Sequence, residues 1–329
     1  MADELINLVE FAQGLNDPIA SGMIEQFARE SDLLEAMPFK TVSQGLNRFA
    51  RETSEPTVAF RALNAEPDIS HGTEDTHQDV CKPVSGLIEF DRIMLKRHGE
   101  AKRATYMMGQ MKKASRVVTT AMISGDESSD PKEFDGMQSR FLASNGGASA
   151  TDVDGTNDDS RLVANSTSSG GAALSLAMLD IAIEQVNSPT HIIMPRRLRT
   201  RMQAAARSPS ISNGDVITND MDSNLGRRVT RYGELPILVG YPPSKDNAFL
   251  PFTEVAWGGG SAVTSSIYIV SLREDGICGI QTDTPDYVPV DTDRGVFERD
   301  LFEWDLGITQ EDFYAGLRMS SITDAPIVA

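Results

Sequence analysis

Histidine, cysteine and carboxylate side chains gathered in sequence are where metal or acid–base chemistry would start, and one stretch qualifies. His71, Asp75, His77, Asp79 and Cys81 lie close together. Their spacing suits neither one helix face nor a zinc knuckle, so no metal is expected there. The run Asp152-Val153-Asp154-Gly155-Thr156-Asn157-Asp158-Asp159 resembles a calcium loop only superficially. Its glycine is misplaced and no bidentate Glu follows at the required offset, which leaves a solvated acidic loop. Gly258-Gly259-Gly260 lacks the helix start that would make it a phosphate cradle. His98 lies within a basic helical stretch and His191 opens a strand, and both fit structural roles. Asn165-Ser166-Thr167 matches a glycosylation acceptor, but no secretory signal accompanies it. The chain has no phosphate-binding loop, dinucleotide fingerprint, nucleophile elbow or His-Glu-x-x-His motif. The expectation is a protein with no catalytic residue, no cofactor and no metal.

A different chemistry, that of charge, is more pronounced. Between residues 95 and 118 Lys96, Arg97, Lys102, Arg103, Lys112, Lys113 and Arg116 face the single acid Glu100. Residues 1–36 reverse this, setting Asp3, Glu4, Glu10, Asp17, Glu25, Glu30, Asp32 and Glu35 against Arg29. Two opposite blocks in one chain predict that the acidic arm packs near the basic helix, within or between subunits. The 329 residues carry a formal charge of −18 with 40% apolar residues. That length and composition suit a folded core and exclude a disordered chain. So acidic a surface repels nucleic acid and anionic membranes, which argues against specific DNA or RNA recognition. Cys81 and Cys278 stand far apart, as expected of a reduced compartment. No apolar stretch could cross a bilayer, so no membrane role is expected.

The elements that must position these groups can be read from periodicity. Leu5, Leu8, Val9 and Phe11 form one helical stripe. Ile24, Phe27, Leu33 and Leu34 form another after Asn16-Asp17-Pro18. Residues 56–62 alternate as a strand with Val58, Phe60 and Ala62 on one face, and residues 86–91 alternate similarly. The polar stretch from Glu66 to Asp79 separates them, predicting a long hairpin without a core of its own. Ala104, Met107, Met108, Met111, Ala114, Val117, Val118, Ala121 and Met122 recur at helical spacing across 94–122, with the methionines as core filler. Residues 131–137 form a turn presenting Phe134, and 143–171 are a polar loop. A helix at 171–186, a strand at 191–194 and a basic helix at 196–207 indicate an α/β layer. Strands follow at 228–240 (a hairpin around Gly233-Glu234), 266–270, 276–280, 302–306 and 313–322.

The order of these features resembles the major capsid proteins of tailed bacteriophages, whose shell fold is shared with encapsulins and the herpesvirus capsid floor. Its most specific pieces are Glu133-Phe134-Asp135-Gly136 and the strand Phe302-Glu303-Trp304-Asp305-Leu306. The resemblance implies an α+β chain with an amino-terminal arm (1–36) and an extended-loop hairpin lying over an adjacent subunit (37–93). It further implies a peripheral domain with a long spine helix (94–134 and 286–329) and an axial α/β domain (135–285). Phe60, Arg61, Asp75, Asp79, Lys112, Lys113 and Arg116 are then the expected subunit contacts. The implied partners are copies of itself in pentamers and hexamers, a portal, a separate scaffold, a cement or decoration protein, and double-stranded DNA enclosed without sequence recognition. No lysine lies between Lys40 and Lys82, so an autocatalytic lysine–asparagine crosslink within the loop is not expected. No scaffold-like segment precedes the arm, so a scaffold is expected to be separate or already removed. An encapsulin-like compartment and a soluble α/β enzyme are the alternative readings.

Overall fold

The computed structural model describes residues 29–54, 56–63, 65–66, 69–98, 100–141, 161–207, 217–221, 228–242, 248–290 and 296–328. Two sheets flank one long helix. The first sheet is built on β14 (Phe297–Gln310), which pairs along ten residues with β4 (Lys82–Asp91), in register from Phe297–Asp91 to Leu306–Lys82. Its other edge takes β13 (Asp286–Val290) and then β12 (Ile277–Gln281), and β1 (Phe39–Thr41) runs parallel to β12. The second sheet orders β5 (Leu162–Ala164), β15 (Gly316–Thr323), β11 (Ala262–Val270), β6 (His191–Ile193), β9 (Leu235–Leu238), β8 (Arg228–Tyr232) and β7 (Ile217–Met221). The short β10 (Glu254–Val255) also pairs with β11. β2 (Leu46–Ser54) and β3 (Thr73–Val80) form a separate ribbon.

The second sheet is buried on both faces, which explains why β11 reads as a continuous apolar run. Ile267 and Ile269 pack beneath two helices, α5 (Leu176–Glu184) and α6 (Arg196–Ala205), beside Leu179, Leu198 and Met202. Tyr268 and Val270 alternate to the opposite face and join Phe141, Phe134 and the long helix. The predicted helix at 171–186 starts only at Leu176, because the Ser175 side chain accepts from the Met178 amide and caps it.

The spine is α3 (Glu100–Ser124), preceded by α2 (Arg92–His98). Its 25 residues extend about 37 Å at the standard helical rise. Met111, Val118, Met122 and Ile123 are buried against Leu33 and Leu34 of α1 (Asp32–Ala36) and against Phe302 and Trp304. The amino-terminal half leaves Tyr106 and Met108 exposed. At the far end the chain doubles back through Gly125 and Gly136, whose backbones bond directly. A Cβ on Gly136 would lie 2.5 Å from the Ala121 carbonyl oxygen, so no larger residue fits. The turn lets Phe134 plug the core and leads into α4 (Met137–Arg140). Trp304 stacks obliquely on Phe39 at 5.3 Å and donates its indole N–H to Gln281.

Several sequence expectations change. Residues 56–62 form no strand; the ribbon pairs 46–54 with 73–80, leaving 56–62 near its far end. The alternation of Val58, Phe60 and Ala62 does not make a strand, since among the described residues no partner strand lies beside it. β4, expected to pair back along this hairpin, instead spans β14. β15 sits in the second sheet beside β11, not with the 286–329 strands of the peripheral domain, and β12 sits in the first sheet. Long-range ladders decide both assignments. Residues 162–164, expected in a polar loop, run parallel to β15 as β5. The first stripe of the arm, Ile24 and Phe27 of the second, and all of 143–160, including the loop 152–159, lie outside the described residues.

Candidate functional site: hairpin, socket and spine

No cluster of three or more His, Cys, Asp or Glu among the described residues is arranged to hold a metal. His77 instead stacks on Phe49 across the β2–β3 ribbon, with centroids 5.8 Å apart. The Arg51 guanidinium lies over the same Phe49 ring. The surfaces to consider are those that project from the body.

The β2–β3 ribbon stands outside both sheets. Along β3 nearly every residue is exposed, and among the described residues no helix covers either face. Its distal loop carries Val58 at 92%, Phe60 at 109%, Leu63 at 97% and Ile69 at 91% exposure. Soluble single chains rarely expose such a group of large apolar side chains at one tip. Arg61 is exposed beside them and donates to the Ala65 carbonyl at 2.8 Å.

What holds the ribbon is a polar socket at its base. Arg140 donates to Asp79 at 2.9 Å and to the Ile308 carbonyl at 2.9 Å. The Thr309 hydroxyl donates to the other Asp79 oxygen at 2.7 Å and accepts from Asn47 at 2.9 Å. Arg51 donates to the Gln310 carbonyl at 2.6 Å, and Lys40 pairs with Glu311 at 3.2 Å. Charge-assisted bonds of this geometry substitute for a hydrophobic core. Cys81, at the joint between β3 and β4, donates its amide to the Gly45 carbonyl. Burial, aided by the Asp305 charge, pushes its thiol up to about 11, and burial pushes Cys278 up to about 12. Neither is a poised nucleophile.

The spine divides its positive charge. Arg103 makes a bidentate pair with Asp300, whose carboxylate is fully buried, and Arg116 pairs with Glu30 at 2.7 Å. Lys112 and Lys113 are exposed on the same helix, and Lys102 lies over the Tyr106 ring. The arm and spine blocks thus meet within one chain, at least through residues 29–36.

The seven expected contact residues separate accordingly. Phe60, Arg61, Asp75, Lys112 and Lys113 are on the surface. Arg116 is half-buried and engaged with Glu30. Both oxygens of Asp79 are used inside the chain, where Arg140 and Thr309 converge and it anchors the hairpin. Sequence reasoning missed Arg140, Asn47 and Thr309, because their partners lie far along the chain. It also missed an apolar row on the outer face of the first sheet, where Leu87, half-buried Leu301 and Val288 are directly opposed across three strands.

Residues 16–168 match the family described as major capsid protein GP7. No curated protein matches the chain by sequence. Among solved structures, an encapsulin of Synechococcus elongatus PCC 7942 superposes with a TM-score of 0.59 at 10% identity, covering 90% of this chain and 89% of that one. The capsid of a native GTA particle gives 0.58 at 13% identity over 91% of both chains. The structure of Microbacterium phage Oxtober96 gives 0.58 at 12% identity, covering 89% and 91%. By its architecture the chain has the shell fold seen in these phage, GTA and encapsulin capsids, and the family match spans its hairpin and spine, residues 16–168.

Proposed function

We propose that copies of this chain assemble as pentamers and hexamers into an icosahedral head enclosing phage double-stranded DNA without reading its sequence, and that the chain catalyses no reaction. The observation that carries this reading is the exposed apolar tip of a ribbon with no core of its own. Fully burying one such side chain is worth roughly 1.5–3 kcal/mol, so four at one tip make covering it by a neighbour favourable. Phe60 and Arg61 would meet that neighbour first. Lys112 and Lys113 supply charge at a second contact, and Asp75 lines the ribbon's flank. Each interface is modest, but a closed lattice engages many together. The acidic body limits adhesion to the packaged DNA, and salt that screens repulsion between subunits favours assembly. The partners in this reading are other copies, a portal, a separate scaffold and a cement or decoration protein, with assembly in the host cytoplasm and residence in the virion.

Electron microscopy of the purified protein tests the reading: closed shells are expected. Monomers persisting at high concentration and high salt would overturn it and return attention to a soluble enzyme. Because an encapsulin shares the fold, particle contents separate the two kinds of shell. Nuclease-protected double-stranded DNA is the phage outcome, and protein cargo the other. Reversing Lys112, Lys113 and Arg116 to Glu should impair assembly, and normal particles from that variant would reject the electrostatic contact.

A further inference from the structure

Three cavities meet at Tyr241, with volumes of about 600, 340 and 150 Å³. Together they form a groove along the carboxyl-terminal half of the spine. One end is lined by Lys113, Arg116, Val117 and Glu133. The middle has Ile123, Phe249 and Leu250, and the other end Arg196, Arg197 and Phe252. The floor is thus aromatic and aliphatic and the two ends are basic, with Glu133 as an acid among them. Arg197 already reaches Asp324 at 3.2 Å, and Arg116 reaches Glu30. The Nε of Arg116 is buried with no partner among the described residues.

The described chain begins at the mouth of this groove. Glu30 holds Arg116 on one wall, while on the other Asp32 donates its amide to Gly240 and accepts from the Val239 amide. Twenty-eight residues precede Arg29, with Asp3, Glu4, Glu10, Asp17 and Glu25 and no Lys or Arg. They also carry apolar groups at helical spacing, among them Leu5, Leu8, Phe11 and Phe27. A segment that is acidic and amphipathic is thus tethered at the edge of a groove that is apolar and basic.

We propose that the groove seats residues 1–28 of the same chain, with their apolar side chains on Tyr241, Phe249 and Phe252 and their carboxylates toward Lys113, Arg116 and Arg196. Tethering at Glu30 makes this docking intramolecular, which raises the effective concentration of the arm above that of any free competitor. Seating would also cover the basic half of the spine. The proposal concerns one chain and does not depend on shell formation.

Carbodiimide coupling of the full-length protein tests it, because the reagent joins a carboxylate to a lysine amine with loss of water, and Lys113 is the lysine on the lining among the described residues. The sample is prepared from an equal mixture of unlabelled and 15N-labelled chains, in whatever assembly state microscopy shows. Peptides joining Lys113 to Glu25 or Asp17 within one isotope class are expected, and Lys113→Arg should abolish them while keeping the charge. Lys113 joined to no arm carboxylate would overturn the proposal, and mixed-isotope links would assign the groove to a second copy's arm. Hydrogen exchange supplies an independent reading. The double variant Lys113→Glu, Arg196→Glu should speed exchange in residues 1–28 by about tenfold, the size expected from reversing two partly exposed ion contacts. Unchanged exchange in that variant would also overturn it.

Discussion

The chain contains two long antiparallel ribbons, β2–β3 and β4–β14, of similar extent and opposite character. β4 alternates between half-buried and exposed positions, and its inner face, with Phe90 and the partner residues Phe302 and Trp304, lies on the spine. At Gly86 the approach is so close that a Cβ would lie 2.5 Å from the Gln110 side chain. Among the described residues the β2–β3 ribbon has no such surface and is held at its base, through Asp79, Arg140, Asn47, Thr309 and Arg51. One ribbon is stabilised by burial, the other by a polar socket and, in our proposal, by a neighbour. A ribbon of two strands needs a third surface, and which molecule supplies it separates a structural core from an assembly device.

The contrast can be tested by substitution, beginning with the buried ribbon. Trp304→Ala should lower unfolding free energy by about 3–5 kcal/mol, since it removes a fully buried indole from the contact of sheet and spine. Denaturant unfolding measures this, and a loss below 1 kcal/mol would mean that the first sheet is not the core described. Asp79→Ala should cost about 1.5–3 kcal/mol, the worth of a charged group whose partners are left behind. Limited proteolysis should then cut within 46–80 while the rest of the chain stays resistant. Phe60→Ser should change stability by less than about 0.5 kcal/mol, because the ring touches solvent, yet it should impair particle formation. Equal losses of stability for Phe60→Ser and Asp79→Ala would erase the distinction between tip and socket. The smallest effect is at the joint of the ribbons. A thiol whose folded pKa is raised stabilises the fold at pH values below its unfolded pKa, near 9, and that contribution is lost as pH climbs toward about 11 for Cys81. Alkylation at pH 8 should therefore leave Cys81 and Cys278 unmodified in the native chain and label both once it is unfolded.

Legibility from sequence followed the range of the interactions. The spine was readable because Met111, Val118 and Met122 recur at helical spacing, and a helix is made of local hydrogen bonds. The 228–240 hairpin was readable because Gly233 must adopt a positive φ, observed at 57°, between two apolar runs. The strand within 262–270 was visible as an apolar run, but not that its alternate residues serve two different cores. The β2–β3 pairing was missed because β3 is polar on both faces, and such a strand has no pattern to fix its register.

By itself the sequence determined the local elements and the opposition of an acidic arm and a basic helix. It also marked the stretch from Glu66 to Asp79 as too polar to supply a core. Only the tertiary structure decided that Asp79 pairs with Arg140. It alone placed β15 in the second sheet and brought the chain entering at Glu30 against Arg116, 86 residues further on. The physical reason is common to all three. Strand ladders and ion pairs join residues separated by long stretches of chain, and no local periodicity records which of several possible partners closes the loop.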